Sequence, residues 1–156
     1  MFLYKKIIKK LIKKNITISV VESCTGGLLS STFISVPGVS KIFNMGLITY
    51  SNKAKTYLLK ISQNHLKKYG AVSNQTANLM VKNLQLLTNS KLCISTTGIA
   101  GPSGGTKKKP VGLIFLGIKK DNKFKIKKFV FKNKGREYIQ KITVKKSLEL
   151  ILGLIK

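Results

Sequence analysis

Ile16-Thr17-Ile18-Ser19-Val20-Val21-Glu22-Ser23-Cys24-Thr25-Gly26-Gly27-Leu28 is the stretch on which the fold turns. The run Ile16 to Val21 is apolar and rich in β-branched residues, and reads as a strand. Leu28 to Ser35 reads as a helix, which Val36-Pro37-Gly38 breaks. A serine, a thiol, a hydroxyl and two glycines therefore sit on a strand-to-helix turn. N–H groups at a helix start are unpaired, and the helix dipole favours negative charge there. Such a turn suits either of two tasks: holding an anion, or presenting a serine whose developing charge is stabilised. Ser23 is the candidate nucleophile, with Cys24 as its rival. The G-x-S-x-G elbow is absent, because Val21 and Thr25 fill the glycine places.

Working outward, Leu3, Ile7, Ile8, Leu11 and Ile12 recur at helical spacing between lysines. They predict a helix over 2–14 that packs one apolar face on the core. Downstream, the pattern predicts a strand over 45–50 and helices over 52–59 and 65–69. Gly70-Ala71-Val72-Ser73 breaks the chain, with Ser73 as an N-cap. Ala77, Met80, Val81, Leu84 and Leu87 then mark a helix. Strands are expected over 91–96, 111–118 and 124–131, the last two joined by a hairpin at Asp121-Asn122. A closing helix is expected over 136–154. Helices before and between strands, plus one hairpin, imply an α/β chain: one domain over 1–156, folded as a three-layer α/β/α sandwich with a mixed central sheet.

Composition narrows the function classes. Apolar residues make up 43% of 156, enough for a core. No apolar run approaches the ~20 residues that span a bilayer. The N-terminal stretch lacks the apolar centre of a secretory signal. Cys24 and Cys93 form no disulfide framework, so free thiols in a reducing cytoplasm are expected. The net charge is +26, from 30 basic and 4 acidic residues. Only Arg136 is an arginine, and the lysines are scattered. Phosphate and base-edge readers favour the bidentate arginine fork. The charge thus reads as drift in an AT-rich coding sequence, with neither a specific nucleic-acid partner nor a membrane partner expected. His65 is the sole histidine, and the acids are Glu22, Asp121, Glu137 and Glu149. A Ser-His-Asp triad, a carboxylate pair and a metal centre are all hard to assemble from these. Proton chemistry here would use lysine, tyrosine or serine.

Two further segments carry chemistry. Thr49-Tyr50-Ser51-Asn52-Lys53-Ala54-Lys55 ends a strand, where α/β sites lie. A lysine there acts as a base if burial or neighbouring cations disfavour its charge. Thr96-Thr97-Gly98-Ile99-Ala100-Gly101-Pro102-Ser103-Gly104-Gly105 joins hydroxyls and four glycines after a strand, a cradle for an oxyanion or phosphate.

Together, ESCTGG, TYSN with its lysine, YGAVS at 69–73, GIAGPSGG and KPVG at 109–112 resemble the CinA C-terminal domain family. The likeness runs from Thr17 to Gln140. Its characterised members are nicotinamide-nucleotide amidohydrolases, often fused to a further N-terminal domain; this chain resembles the stand-alone form. The resemblance implies deamidation of nicotinamide mononucleotide to nicotinic acid mononucleotide, without metal or cofactor, in a homodimer. By position, Ser23 matches the nucleophile, Lys55 the base, Tyr50 the tyrosine that assists it, and Thr97 a hydroxyl near the developing charge. Substrate contacts are expected from Thr25, Gly26, Gly27, Asn52, Gly98, Gly101, Gly104, Gly105 and Arg136. Ser103 stands where the family has Asp, the Asp before Arg136 is missing, and Gln140 stands near a second family arginine. A nucleotide-binding relative with weak or no turnover is the alternative.

Overall fold

In the computed structural model, which describes residues 2–156, five strands form one sheet in the order β2-β1-β3-β4-β5. They are β1 (Ile18–Glu22), β2 (Phe43–Ile48), β3 (Leu92–Gly98), β4 (Leu113–Lys120) and β5 (Lys123–Val130). β1 runs parallel to β2 and β3, while β4 is antiparallel to β3 and β5. The sheet is mixed, as the alternating helices and the single hairpin predict. Among the described residues the α-helices are α1 (Leu3–Lys13), α2 (Leu28–Ile34), α3 (Asn52–Leu59), α4 (Gln63–Tyr69), α5 (Asn74–Thr88) and α6 (Arg136–Leu154).

Both sheet faces are covered. Ile18, Val20, Leu92 and Ile94 point to one face and pack with Ile7, Ile8 and Leu11 of α1, Leu29 and Phe33 of α2, and Val144, Leu148 and Ile151 of α6. Val21 and Cys93 point to the other and meet Leu59, Leu66, Met80, Val81 and Leu84 of α3 to α5. A strand buried on both sides needs no polar alternation, which is why β1 is buried throughout. α6 interrupts its apolar stripe with Thr143 and Ser147, whose hydroxyls bond back to the carbonyls of Ile139 and Thr143.

The strands depart from the apolar runs at their ends. β2 starts at Phe43, two residues before the expected strand, and stops at Ile48. β3 continues through Thr96 and Thr97 to Gly98, because the ladder to β4 satisfies their backbone groups. Gly98 is required there: a Cβ would overlap the Ile114 side chain and the Leu113 carbonyl. Since β1, β2 and β3 are parallel, their carboxyl ends open side by side. That places the segments after Glu22, Ile48 and Gly98 at one edge of the sheet.

Candidate active site

At this edge Ser23 follows β1 directly, its N–H held by the Thr96 carbonyl at 3.0 Å. Gly26 and Gly27 take positive φ, 58° and 100°, to reverse the chain into α2. The start of α2 is already filled. Glu22 is fully buried, and one of its carboxylate oxygens accepts from the Thr25 hydroxyl (2.6 Å), Gly27 N–H (3.1 Å) and Leu29 N–H (3.0 Å). The other accepts from the N–H and hydroxyl of Ser30, both at 2.7 Å. Of the two tasks open to this turn, anion holding at α2 is therefore performed internally. The N–H groups of Cys24 and Thr25 make no hydrogen bond among the described residues.

Lys55 enters from α3, whose start is capped by the Ser51 hydroxyl accepting from Ala54 N–H. Among the described residues it is the only buried lysine. Its Nζ donates to Ser23 Oγ at 3.1 Å, to the Thr49 carbonyl at 2.6 Å and to the Tyr50 carbonyl at 3.3 Å. Burial pulls its pKa down from 10.5 to about 8. An amine held in this way beside a hydroxyl has the geometry that a general base needs. Burial drives the neighbouring Cys24 thiol the other way, up to about 12, despite a hydrogen bond with Thr96. Cys24 is therefore a thiol at neutral pH and a poor nucleophile.

Ser23, Cys24, Tyr50, Ala71, Val72, Thr97, Gly98, Ala100 and Arg136 enclose a cavity of about 250 Å³. The Thr97 hydroxyl donates to the Ala71 carbonyl at 2.8 Å. Lys109 donates to the Tyr69 and Val72 carbonyls, tying the glycine loop to the segment that carries Ala71. Arg136, at the first position of α6, donates to the Gly101 carbonyl at 2.8 Å and the Tyr50 hydroxyl at 3.0 Å. Both partners are neutral, so its charge faces the cavity without a carboxylate partner among the described residues. Gln140, one turn along, donates to the Cys24 carbonyl at 3.0 Å and anchors the turn after Ser23 to α6.

The structure thus brings Ser23, Lys55, Thr97, Gly98 and Arg136 together, with Gly101 present through its carbonyl. It does not bring the rest to the Ser23–Lys55 pair. The Tyr50 phenol is largely exposed and meets Arg136, and only the Tyr50 carbonyl reaches the amine. Thr25 is buried between Glu22 and Thr96, 2.8 Å from the latter's hydroxyl. Gly26 and Gly27 line a separate depression with Glu137 and Gln140. Asn52 faces a different hollow between α3 and α4, with Tyr57 and Lys67. Gly104 and Gly105 stand outside the cavity, and a Cβ on Gly105 would press on the backbone of Val111 at 2.8 Å. Glu22, Lys109 and Gln140 carry structural weight that the sequence reading did not assign. Lys109 lies in the quoted KPVG motif, which was the available signal. Among the described residues no group of three or more His, Cys, Asp or Glu is placed to hold a metal ion. Among the described residues no helix is long and apolar enough to cross a membrane.

A family profile described as the CinA C-terminal domain matches residues 2–155. A relative from Clostridium novyi, provisionally named a competence-damage inducible protein, is 56% identical over 110 residues, covering 70% of this chain and 27% of that protein. One of the same name from Thermoanaerobacter pseudethanolicus is 43% identical over 148 residues, covering 94% and 36%. The chain spans about a third of the length of these curated relatives. Among solved structures, the competence/damage inducible protein CihA from Agrobacterium tumefaciens superposes with a TM-score of 0.95 at 34% identity, covering 99% of this chain and 94% of that one. The competence-damaged protein (CinA) superfamily protein ECK1530/EC0983 from Escherichia coli gives 0.92 at 27% identity, covering 97% and 88%.

Proposed function

From the premise that the chain belongs to the CinA C-terminal domain family, we propose that it hydrolyses the carboxamide of nicotinamide mononucleotide to the carboxylate and ammonia. The observation that carries this reading is the 3.1 Å contact between the buried Lys55 amine and Ser23 Oγ. In the neutral amine the lone pair accepts the Ser23 proton as Oγ attacks the amide carbon. The oxyanion gains the N–H groups of Cys24 and Thr25, which follow the nucleophile. Lys55 returns the proton to the departing ammonia. Water then attacks the acyl-enzyme, with Lys55 taking its proton, and releases the acid. Arg136 is the group in this cavity suited to the substrate phosphate, which supplies the carboxylate-like partner its fork lacks.

Ammonia release from nicotinamide mononucleotide tests the reading directly. Wild type should turn over, and Ser23→Ala should fall to about a thousandth of that rate or less. Equal rates in the two would end the assignment of Ser23. Calorimetric binding without wild-type turnover would instead assign the protein as a nucleotide-binding relative.

A further inference from the structure

Glu22 precedes the nucleophile, is fully excluded from solvent, and meets nothing in the cavity. Its two oxygens accept five hydrogen bonds, three from backbone N–H groups of the α2 start and two from hydroxyls. The donors come from Thr25, Gly27, Leu29 and Ser30, so one carboxylate gathers the whole turn that follows Ser23. The Thr25 hydroxyl also meets the Thr96 hydroxyl, which fixes the turn to β3 beside Thr97. On the main-chain side, the Glu22 carbonyl accepts from Thr49 N–H at 2.8 Å. That bond holds the segment whose Thr49 and Tyr50 carbonyls grip Lys55. Side chain and main chain of one residue thus control both partners of the Ser23–Lys55 contact.

We propose that Glu22 is a positioning residue, whose carboxylate fills the anion-seeking start of α2 and thereby holds Ser23 facing Lys55. A helix start left open would draw the substrate's phosphate or the developing oxyanion toward α2. Filled by Glu22, it leaves Arg136 as the one charged side chain among the described residues that line the cavity. The carboxylate suits this task because it only accepts, and every group around it donates.

This proposal rests on the assignment of Ser23 as nucleophile. Glu22→Gln keeps the size but turns an NH2 toward N–H donors, on whichever side it points. Two readouts apply: turnover of nicotinamide mononucleotide, and the rate at which phenylmethylsulfonyl fluoride modifies Ser23, followed by mass spectrometry. In the second, the Oγ–S bond forms, fluoride leaves, and Lys55 takes the hydroxyl proton. Folding is checked by circular dichroism. Glu22→Gln should lose at least tenfold in kcat and in Ser23 modification rate, with KM within about twofold. Glu22→Asp, which restores the charge on a shorter stem, should recover part of both. Thr25→Val keeps the carboxylate but removes one of its five donors together with the tie to Thr96; it should slow both rates at least threefold, and it stands in if Glu22→Gln does not fold. A folded Glu22→Gln with wild-type kcat and modification rate overturns the proposal, as does unchanged Thr25→Val. A wild type inert in both assays sinks the Ser23 assignment itself, a result distinct from active wild type with indifferent variants.

Discussion

Lys55→Met separates the cost of burying an ammonium from everything else that Lys55 does. In the unfolded chain this lysine titrates near its ordinary 10.5, and in the folded protein near about 8. Between those values the unfolded chain holds more protons, so stability rises with pH, the reverse of a lysine that gains an ion-pair partner. Below the folded value the protein bears the full penalty. The gap between 10.5 and about 8 corresponds to about 3 kcal/mol, at about 1.4 kcal/mol per tenfold change in proton affinity. Methionine keeps most of the volume and removes the amine. It also forfeits the bonds to Ser23, Thr49 and Tyr50, each worth about 1 kcal/mol, but that loss does not depend on pH. Every group common to both proteins cancels in the comparison.

The assay is urea unfolding of wild type and Lys55→Met, followed by circular dichroism between about pH 7 and pH 9.5. The difference in unfolding free energy should move toward wild type by about 2 kcal/mol across that range, the part of the about 3 kcal/mol recovered by about pH 9.5. Met should be the more favourable residue, relative to its offset, at the acid end. Turnover should be lost at every pH. A difference flat to within about 0.5 kcal/mol would refute the argument, because the amine would then hold its proton as firmly folded as unfolded.

The same pKa predicts the rate profile: kcat/KM should climb tenfold per pH unit below about 8 and level above it, read from initial rates of ammonia release. A limb near 10.5 would place the base in water instead. Cys24→Ser should keep turnover within about threefold, since the buried thiol is held protonated by its surroundings. Arg136→Ala should raise KM for the mononucleotide by about tenfold to a hundredfold with a smaller change in kcat, as expected for loss of a charge-assisted contact. The nucleoside without its phosphate should not distinguish the two proteins. Gly98→Ala should lower the unfolding free energy by about 1 to 3 kcal/mol, because neither the Leu113 carbonyl nor Ile114 can withdraw from the added methyl.

What the sequence made legible follows from how each signal is encoded. The α5 stripe and the apolar runs of β3 and β4 write burial directly into residue type, and all three elements stand within a residue or two of their expected places. Motifs fix the chain positions of Ser23 and Lys55, and parallel strands bring those positions to one edge. Side-chain direction has no such record. Tyr50 lies two residues past the end of β2, and whether its phenol faces Lys55 or Arg136 depends on where α6 begins to pass the cavity. Glu22 was the hardest to read. A carboxylate at a strand end looks like a surface charge, since buried acids are rare without partners. Its partners here lie three to eight residues ahead, and they converge only when Gly26 and Gly27 reverse the chain. The pattern that predicts an anion site at a helix start carries no information about whether the protein itself occupies it. That occupancy decides the site's polarity. With α2 closed by Glu22, Arg136 is the charged side chain that lines the cavity. In the proposed reaction it takes the substrate phosphate while the carboxamide meets Ser23 and Lys55.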